Sequence, residues 1–287
     1  SSSYGETQST LSTGADDDYV NISANANGSQ WQWQINPDTG NWEGIIIQAD
    51  EAVAVGIQNY SVDLGEGNDM LSVWASASGA DPSATGIADS NVETGSGSDG
   101  VNIGVSTNDS ATWDPAIGLQ DTNLSTSEGA DWVNIWANAT GISTTLEAAG
   151  LLGTSSDSQP KSTLNTGADG DYVSISANAN GSQWLWEANT DNGEWEWTAV
   201  QAVEATAVGI QNYSVNLGDG YDSLYVWASA SGADPSATGV ADSNIETGSG
   251  ADTVYISALT SDSTTWDPAV GIQDSNLSTG GDADAVT

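Results

Sequence analysis

Apolar residues in this chain alternate strictly over short stretches and then stop. Val20, Ile22 and Ala24 stand two residues apart, as do Leu71, Val73 and Ala75, then Val101, Ile103 and Val105, then Val133, Ile135 and Ala137. A period of two is that of a β-strand with one buried face. Each run starts just after an aspartate in a glycine-rich turn, and a second short apolar stretch precedes that turn, as in "ATGIADSNVETG" (84–95) and "AIGLQDTNLSTS" (116–127). Two or three short strands per unit, separated by Gly and Asp turns, are therefore expected.

The units repeat at two levels. A gapless match at an offset of 153 pairs Leu11 with Leu164, Trp31 with Trp184, Tyr60 with Tyr213 and Trp113 with Trp266, and "WASASGADPSATG" is identical in both copies. Residues 135–153 have no partner in the second copy, the pattern expected of a section taken from a longer tandem array. Within each copy a shorter unit ends in an aspartate, at Asp18, Asp69, Asp99, Asp131, Asp171, Asp222, Asp252 and Asp284, with spacings of 51, 30, 32, 40, 51, 30 and 32 residues.

A base unit of about 30 residues with insertions is the spacing of a solenoid, in which each unit buries its apolar edge against its neighbours. The expected fold is all-β: a parallel β-solenoid of the right-handed β-helix or β-roll kind with two inserted β-hairpins. Residues 1–153 and 154–287 are read as two tandem copies in one continuous rod. Tandem antiparallel β-sandwiches of about 150 residues each are the alternative, but they do not explain a turn and strand recurring at near-constant spacing.

The two 51-residue spacings come from "WQWQINPDTGNWEGIIIQ" (31–48) and "WLWEANTDNGEWEWTAVQ" (184–201). Alternation on both sides of a turn-rich centre predicts hairpins over about 27–50 and 180–203. Trp31, Trp33 and Trp42 in one, and Trp184, Trp186, Trp195 and Trp197 in the other, should share a face. They are candidates for self-association or for stacking on sugar rings. Outward strand positions carry Tyr19, Trp74, Trp132, Trp136, Tyr172, Tyr225, Trp227 and Tyr255, a stripe on which the hairpins are expected to fold back. Asp-Pro pairs at 81, 114, 234 and 267 should start turns just before strands.

Charge changes this picture. Forty acidic residues stand against a single basic one, Lys161, for a formal charge of −39 with no histidine. Self-repulsion of that size opposes compaction, so countercharge must come from outside, as divalent cations or high ionic strength. Nucleic acid is excluded as a partner, and anionic membrane is a poor one. Membrane insertion is not expected either, because no apolar run is long enough to span a bilayer. With no cysteine there is no disulfide framework. Nine Asn-x-Ser/Thr sequons, Asn59 and Asn212 among them, permit glycosylation in a secreted protein.

If the units stack in register, the eight aspartates form a column with carboxylates about 5 Å apart. Neighbours at that distance repel by about 1 kcal/mol per pair in water and several-fold more near a protein surface, and Glu66, Glu128, Asp169 and Asp219 add to the charge. Calcium, which takes six to eight oxygens in flexible geometry, could bridge successive units. Alternatively, each aspartate simply accepts hydrogen bonds from turn amides.

The turns "LGEGND", "TGSGSD", "TGADGD", "LGDGYD" and "TGSGAD", each followed by an alternating strand, resemble haemolysin-type (RTX) calcium-binding repeats. They are most similar to the long-coil versions in large surface proteins of cyanobacteria and marine bacteria. The resemblance implies several bound Ca2+ ions held by turn carbonyls and the eight aspartates, with Asp16, Asp169 and Asp282 as further ligands near Asp18, Asp171 and Asp284. One motif per unit of 30 or more residues departs from the nine-residue spacing of that family.

Catalysis is not expected. Histidine and cysteine are absent, Lys161 lies in the loop "SSDSQPKST", and the acidic residues recur along the chain where an active site would be unique. Ice binding would need a flat threonine array that the mixed outward positions do not offer. The expected function is that of an extracellular or cell-surface structural protein: a calcium-stabilised section of a fibre, sheath, S-layer or adhesin stalk that associates end to end and laterally. A carbohydrate-binding adhesin module that recognises glycans through the tryptophan hairpins is the alternative.

Overall fold

The computed structural model describes residues 9–35, 42–48, 51–79, 81–110, 113–142, 145–154, 162–188, 195–261 and 268–287. Lys161 and Asp267 lie outside them, as do the centres of both hairpins.

Three parallel sheets and two two-stranded hairpins make up the described residues, and no helix occurs among them. Successive passes of the chain visit the sheets in the same order. The first sheet holds Ser9–Ala15, Tyr60–Glu66, Asn91–Glu93, Asn123–Ser125, Ser162–Asn165, Tyr213–Asn216, Asn244–Glu246 and Asn276–Ser278, neighbours in that order. The second holds the aspartate-led strands Tyr19–Asn27, Met70–Ser78, Gly100–Ser110, Trp132–Gly141, Tyr172–Asn180, Ser223–Ser231, Thr253–Ser261 and Ala285–Val286. The third holds Ala52–Gln58, Pro82–Ala88, Trp113–Gln120, Thr145–Leu152, Glu204–Gln211, Asp234–Ala241 and Ala269–Gln273. This is the sheet order a parallel solenoid requires. The antiparallel sandwich is overturned, because among the described residues the only antiparallel pairs are the two hairpins.

Register follows from the alternating pattern. Val20, Leu71, Val101, Val133, Val173, Leu224 and Val254 are successive partners, as are Ile22, Val73, Ile103, Ile135, Ile175, Val226 and Ile256. A slip of one residue would turn all of these outward. They pack with Leu64, Leu124, Leu164, Ile210 and Val215 of the other two sheets in one continuous core. That core is thin because the third sheet approaches through a file of glycines. At Gly118 a Cβ would stand 2.4 Å from Ile135 Cγ2 and 2.5 Å from the Gly150 carbonyl, leaving no room for a methyl group.

The corner from the third sheet back to the first is turned by a residue with positive φ: Asn59 (58°), Asp89 (50°), Asp121 (46°), Asn212 (54°), Asp242 (49°) and Asp274 (46°). Asn and Asp tolerate this left-handed conformation better than other non-glycine residues. Of the Asp-Pro pairs, Asp81 immediately precedes its strand as expected. Asp114-Pro115 and Asp234-Pro235 instead lie inside the first residues of theirs.

Both expected hairpins are present, as Ser29–Ile35 with Trp42–Gln48 and as Ser182–Ala188 with Trp195–Gln201. They leave the stack between the second and third sheets of their pass, so each insertion sits at a corner and does not disturb the register of the strands around it.

Candidate metal centre along the aspartate column

The eight repeat aspartates do form one column, at the corner that leads into the second sheet. Asp69, Asp99, Asp131, Asp171, Asp222 and Asp252 are 1–3 % exposed. The end members Asp18 and Asp284 are half-buried. A continuous ladder of hydrogen bonds links them, each backbone N–H donating to Oδ1 of the aspartate in the next pass. The distances run from 2.7 Å for Asp18 to Asp69, through 2.8 Å for Asp69 to Asp99, Asp99 to Asp131, Asp131 to Asp171 and Asp171 to Asp222, to 3.0 Å for Asp222 to Asp252 and 3.1 Å for Asp252 to Asp284. One oxygen of each carboxylate from Asp69 to Asp284 thus satisfies a turn amide.

The other oxygen divides the column. Asp99 Oδ2 accepts the Thr94 hydroxyl at 2.5 Å and Asp252 Oδ2 that of Thr247 at 2.6 Å. Oδ2 of Asp18, Asp69, Asp131, Asp171 and Asp222 is buried without a partner. The sequence explains two of these, since the residue five positions earlier is Leu64 or Leu217 where the other passes carry threonine. At Asp18, Asp131 and Asp171 the threonine is present, but its hydroxyl meets the next pass's carbonyl: Thr13 to Leu64 at 2.8 Å, Thr126 to Thr166 at 3.3 Å and Thr166 to Leu217 at 3.0 Å. One hydroxyl hydrogen serves only one acceptor at a time.

Burial without full hydrogen bonding raises a carboxyl's pKa. Desolvation, opposed in part by the nearby Thr126 hydroxyl and the Asp99 N–H and reinforced by the charges of Asp171 and Asp99, lifts Asp131 from the ordinary carboxylate range to about 7. Asp222 rises to about 6, again chiefly through desolvation, with Asp171, Asp252 and Asp219 adding repulsion. Asp69 and Asp171 are raised by the same dominant cause.

The further acidic candidates lie elsewhere on the turns. Asp16 (φ 90°) and Asp169 (φ 80°) occupy the left-handed position that glycine fills in other passes, and both are exposed, as is Asp282. Glu66, Glu128 and Asp219 share a register file on the turn with Ser96, Ala168 and Ser249. Among the described residues no group of three or more carboxylates converges closely enough to hold a metal by itself.

Sequence reasoning missed a second ladder, at the corner from the third sheet to the first. The N–H of Tyr60 donates to Ser90 Oγ at 3.2 Å, that of Ser90 to Thr122 Oγ1 at 3.4 Å, that of Tyr213 to Ser243 Oγ at 3.2 Å and that of Ser243 to Ser275 Oγ at 3.0 Å. Each hydroxyl in turn donates to the carbonyl two residues before it, as Ser90 does to Ala88 at 2.6 Å. The rung that would follow Thr122 is supplied by a tyrosine from two passes on: Tyr213 Oη accepts the Thr122 N–H at 3.2 Å and donates to the Thr122 carbonyl at 3.1 Å. The signal was a Ser or Thr directly after each corner Asp, at 90, 122, 243 and 275.

Aromatic residues occupy the outer face of the second sheet. Trp74 and Trp136 meet edge to face at 5.6 Å, and rings of both stand 2.6 Å from where Gly104 would carry a Cβ. Tyr172, Tyr225, Tyr255 and Trp227 form a second row with centroids 5.5–6.2 Å apart. Tyr19, Trp74, Trp132, Tyr172 and Trp227 remain exposed, so the hairpins do not cover the stripe at these positions. Strand register places Trp31, Trp33 and Trp42 on one face of the first hairpin, and Trp184, Trp186, Trp195 and Trp197 on one face of the second. Trp197 is exposed, while the side chains of the other six lie outside the described residues.

No protein-family model, curated protein or solved structure matches the chain.

Proposed function

We propose that the chain is a section of a calcium-stabilised β-solenoid rod that serves as a structural element of an extracellular or cell-surface assembly. The observation that carries this is the aspartate column, which packs eight carboxylates into one corner of a protein with forty acidic residues and a single basic one. A single oxygen per aspartate suffices for the ladder. Five second oxygens remain buried and unpartnered, and such groups demand a compensating charge.

The residues present suit calcium, a hard cation that takes carboxylate, carbonyl and hydroxyl oxygens. Asp18, Asp69, Asp131, Asp171 and Asp222 would hold it together with turn carbonyls, and the outer carboxylates of Glu66, Glu128 and Asp219 would gather further ions. What calcium supplies there is neutralisation of like charges. The chain's own contribution is to hold the oxygens in register through the three sheets. Recurrence of the same corner along the molecule favours a structural role over catalysis, which needs a unique site.

Chelation tests this directly. Circular dichroism and solution scattering in EGTA should show a lower melting temperature and a less compact particle than in millimolar calcium. Identical shape and melting in both would leave the aspartates as plain turn residues.

A further inference from the structure

The outer face of the second sheet stands apart from the rest of the molecule in charge. Its paired outward positions, from the file of Tyr19 to the file of Asn27, carry no carboxylate, in a chain with forty acidic residues. Polar groups on this face bond to one another across the passes. Asn134 Nδ2 donates to Asn102 Oδ1 at 3.1 Å, and Asn178 Nδ2 to Asn138 Oδ1 at 3.0 Å.

One file on the face runs Trp74, Gly104, Trp136, Ser176, Trp227, so each of its two small residues stands between two tryptophans. The first gap is closed: Trp74 and Trp136 meet at 5.6 Å, with rings of both over Gly104. Trp136 thereby leans away from Ser176, and Trp227 meets Tyr255 at 5.9 Å on its far side. The second gap therefore stays open, as a hollow of about 210 Å³ with Tyr172, Tyr225 and Trp227 as walls and Ser174 and Ser176 on its floor. Tyr172 and Tyr225 brace each other at 5.5 Å, and Trp227 is 54 % exposed. The repeat counterpart of Tyr225 is Ser72, which accepts the Trp74 indole N–H at 2.9 Å, so the first copy lacks this wall.

We propose that this hollow binds one ring of a neutral saccharide, a pyranose whose hydroxyls are mainly equatorial. Such a ring exposes axial C–H groups that stack on the Tyr225 and Trp227 rings, while its edge hydroxyls exchange hydrogen bonds with the Ser174 and Ser176 hydroxyls. An anionic ligand would meet no countercharge on this face and the repulsion of a chain of net charge −39. A purely apolar one would desolvate both serines without replacing their bonds to water. A quaternary ammonium could use the rings by cation–π attraction, but it would leave the same hydroxyls unpaired. The site lies on the body of the second sheet and not on the tryptophan hairpins, and it goes beyond the structural reading because it needs no metal.

NMR titration of the isotope-labelled chain with cellotetraose and with chitotetraose, in millimolar calcium, tests the site. At least one of the two should bind saturably and shift the Trp227 indole N–H but not that of Trp74. Trp227→Ala should weaken binding by about tenfold, the scale of one aromatic stacking contact. Ser176→Trp, which fills the hollow from an outward position, should abolish it, with circular dichroism confirming the fold. Trp74→Ala and the hairpin variant Trp197→Ala should leave the affinity unchanged. Saturable binding of neither sugar, equal shifts with tetramethylammonium, or loss with Trp197→Ala in place of Trp227→Ala would overturn the site. So would a dimer in sedimentation that dissociates on Trp227→Ala, which would give the face to a second copy of the chain. Because calcium is present throughout, failure of sugar binding leaves the calcium reading standing, and a chelation experiment without effect leaves this site standing.

Discussion

Two corners of this molecule perform the same task with different chemistry. At the corner between the third and first sheets, a serine or threonine hydroxyl accepts the amide of the preceding pass, and a tyrosine hydroxyl that of the pass before it. At the corner between the first and second sheets an aspartate does so, pass after pass. The hydroxyl corner shows that a neutral oxygen is sufficient to hold a turn amide. The charge at the aspartate corner is therefore not what holds the turn amide, which is the ground on which a bound cation is proposed there. The hydroxyl corner also satisfies its own donors internally, while the aspartate corner leaves five buried oxygens open.

If calcium is bound as proposed, its removal should have the largest effect on this contrast. A ligand at a hundred times its Kd stabilises by about 2.7 kcal/mol per site, so with several sites the melting temperature should fall by more than 10 °C on chelation. That is a change of several kcal/mol for a domain in which 1 kcal/mol moves the midpoint by about 2–4 °C. Hydrogen exchange should locate the loss at the aspartate corner and leave the amides of Ser90 and Ser243 protected.

Acidification of the metal-free protein should come next. The folded-state pKa values of Asp131 and Asp222, about 7 and about 6, lie above the ordinary value of 3.8. Raised carboxyls bind more protons in the folded than in the unfolded chain. Their contribution to stability is therefore fully present below about pH 4 and is lost as pH rises through 6 to 7. Thermal melts in EGTA should show the midpoint climbing from pH 8 to pH 4.5, while saturating calcium should flatten the slope. A metal-free midpoint that falls on acidification would contradict the assignment of these buried carboxyls.

Single substitutions test the comparison at smaller scale. Asp131→Ala removes the acceptor of the buried Asp99 amide, and Ser243→Ala removes that of the Tyr213 amide. Each should cost about 1–3 kcal/mol in chemical denaturation. Asp131→Asn keeps an acceptor while deleting the charge, so without metal at pH 8 it should be neutral or stabilising, and it should blunt the response to calcium. An asparagine variant as unstable as the alanine one would mean that the charge itself supports the turn.

Much of this architecture was legible in the sequence because the pattern is redundant. The period of two after each aspartate fixes which residues of the second sheet face inward, and the 51-residue spacings mark both hairpins. The aspartate column follows from the recurrence of the same turn before each alternating strand, but its burial does not. That depends on the amide of one pass reaching the carboxylate of the next, a contact 30 to 51 residues away in sequence. The hydroxyl corner was hidden because serine and threonine are common throughout, and only the positive φ of the preceding Asp distinguishes those that matter. Tyr213 could not be read at all, since its bond to Thr122 crosses an intervening pass.

Calorimetric titration of the metal-free chain with calcium at pH 6.5, repeated in buffers of different ionisation enthalpy, addresses the central claim most directly. If calcium occupies the aspartate corner, binding should release protons from Asp131 and its raised neighbours. A variant carrying Asn at 69, 131, 171 and 222 should lose both that release and most of the binding heat. Calcium binding with no proton release, unchanged in the four-fold variant, would place the ions elsewhere and leave the aspartate ladder as a purely hydrogen-bonded corner.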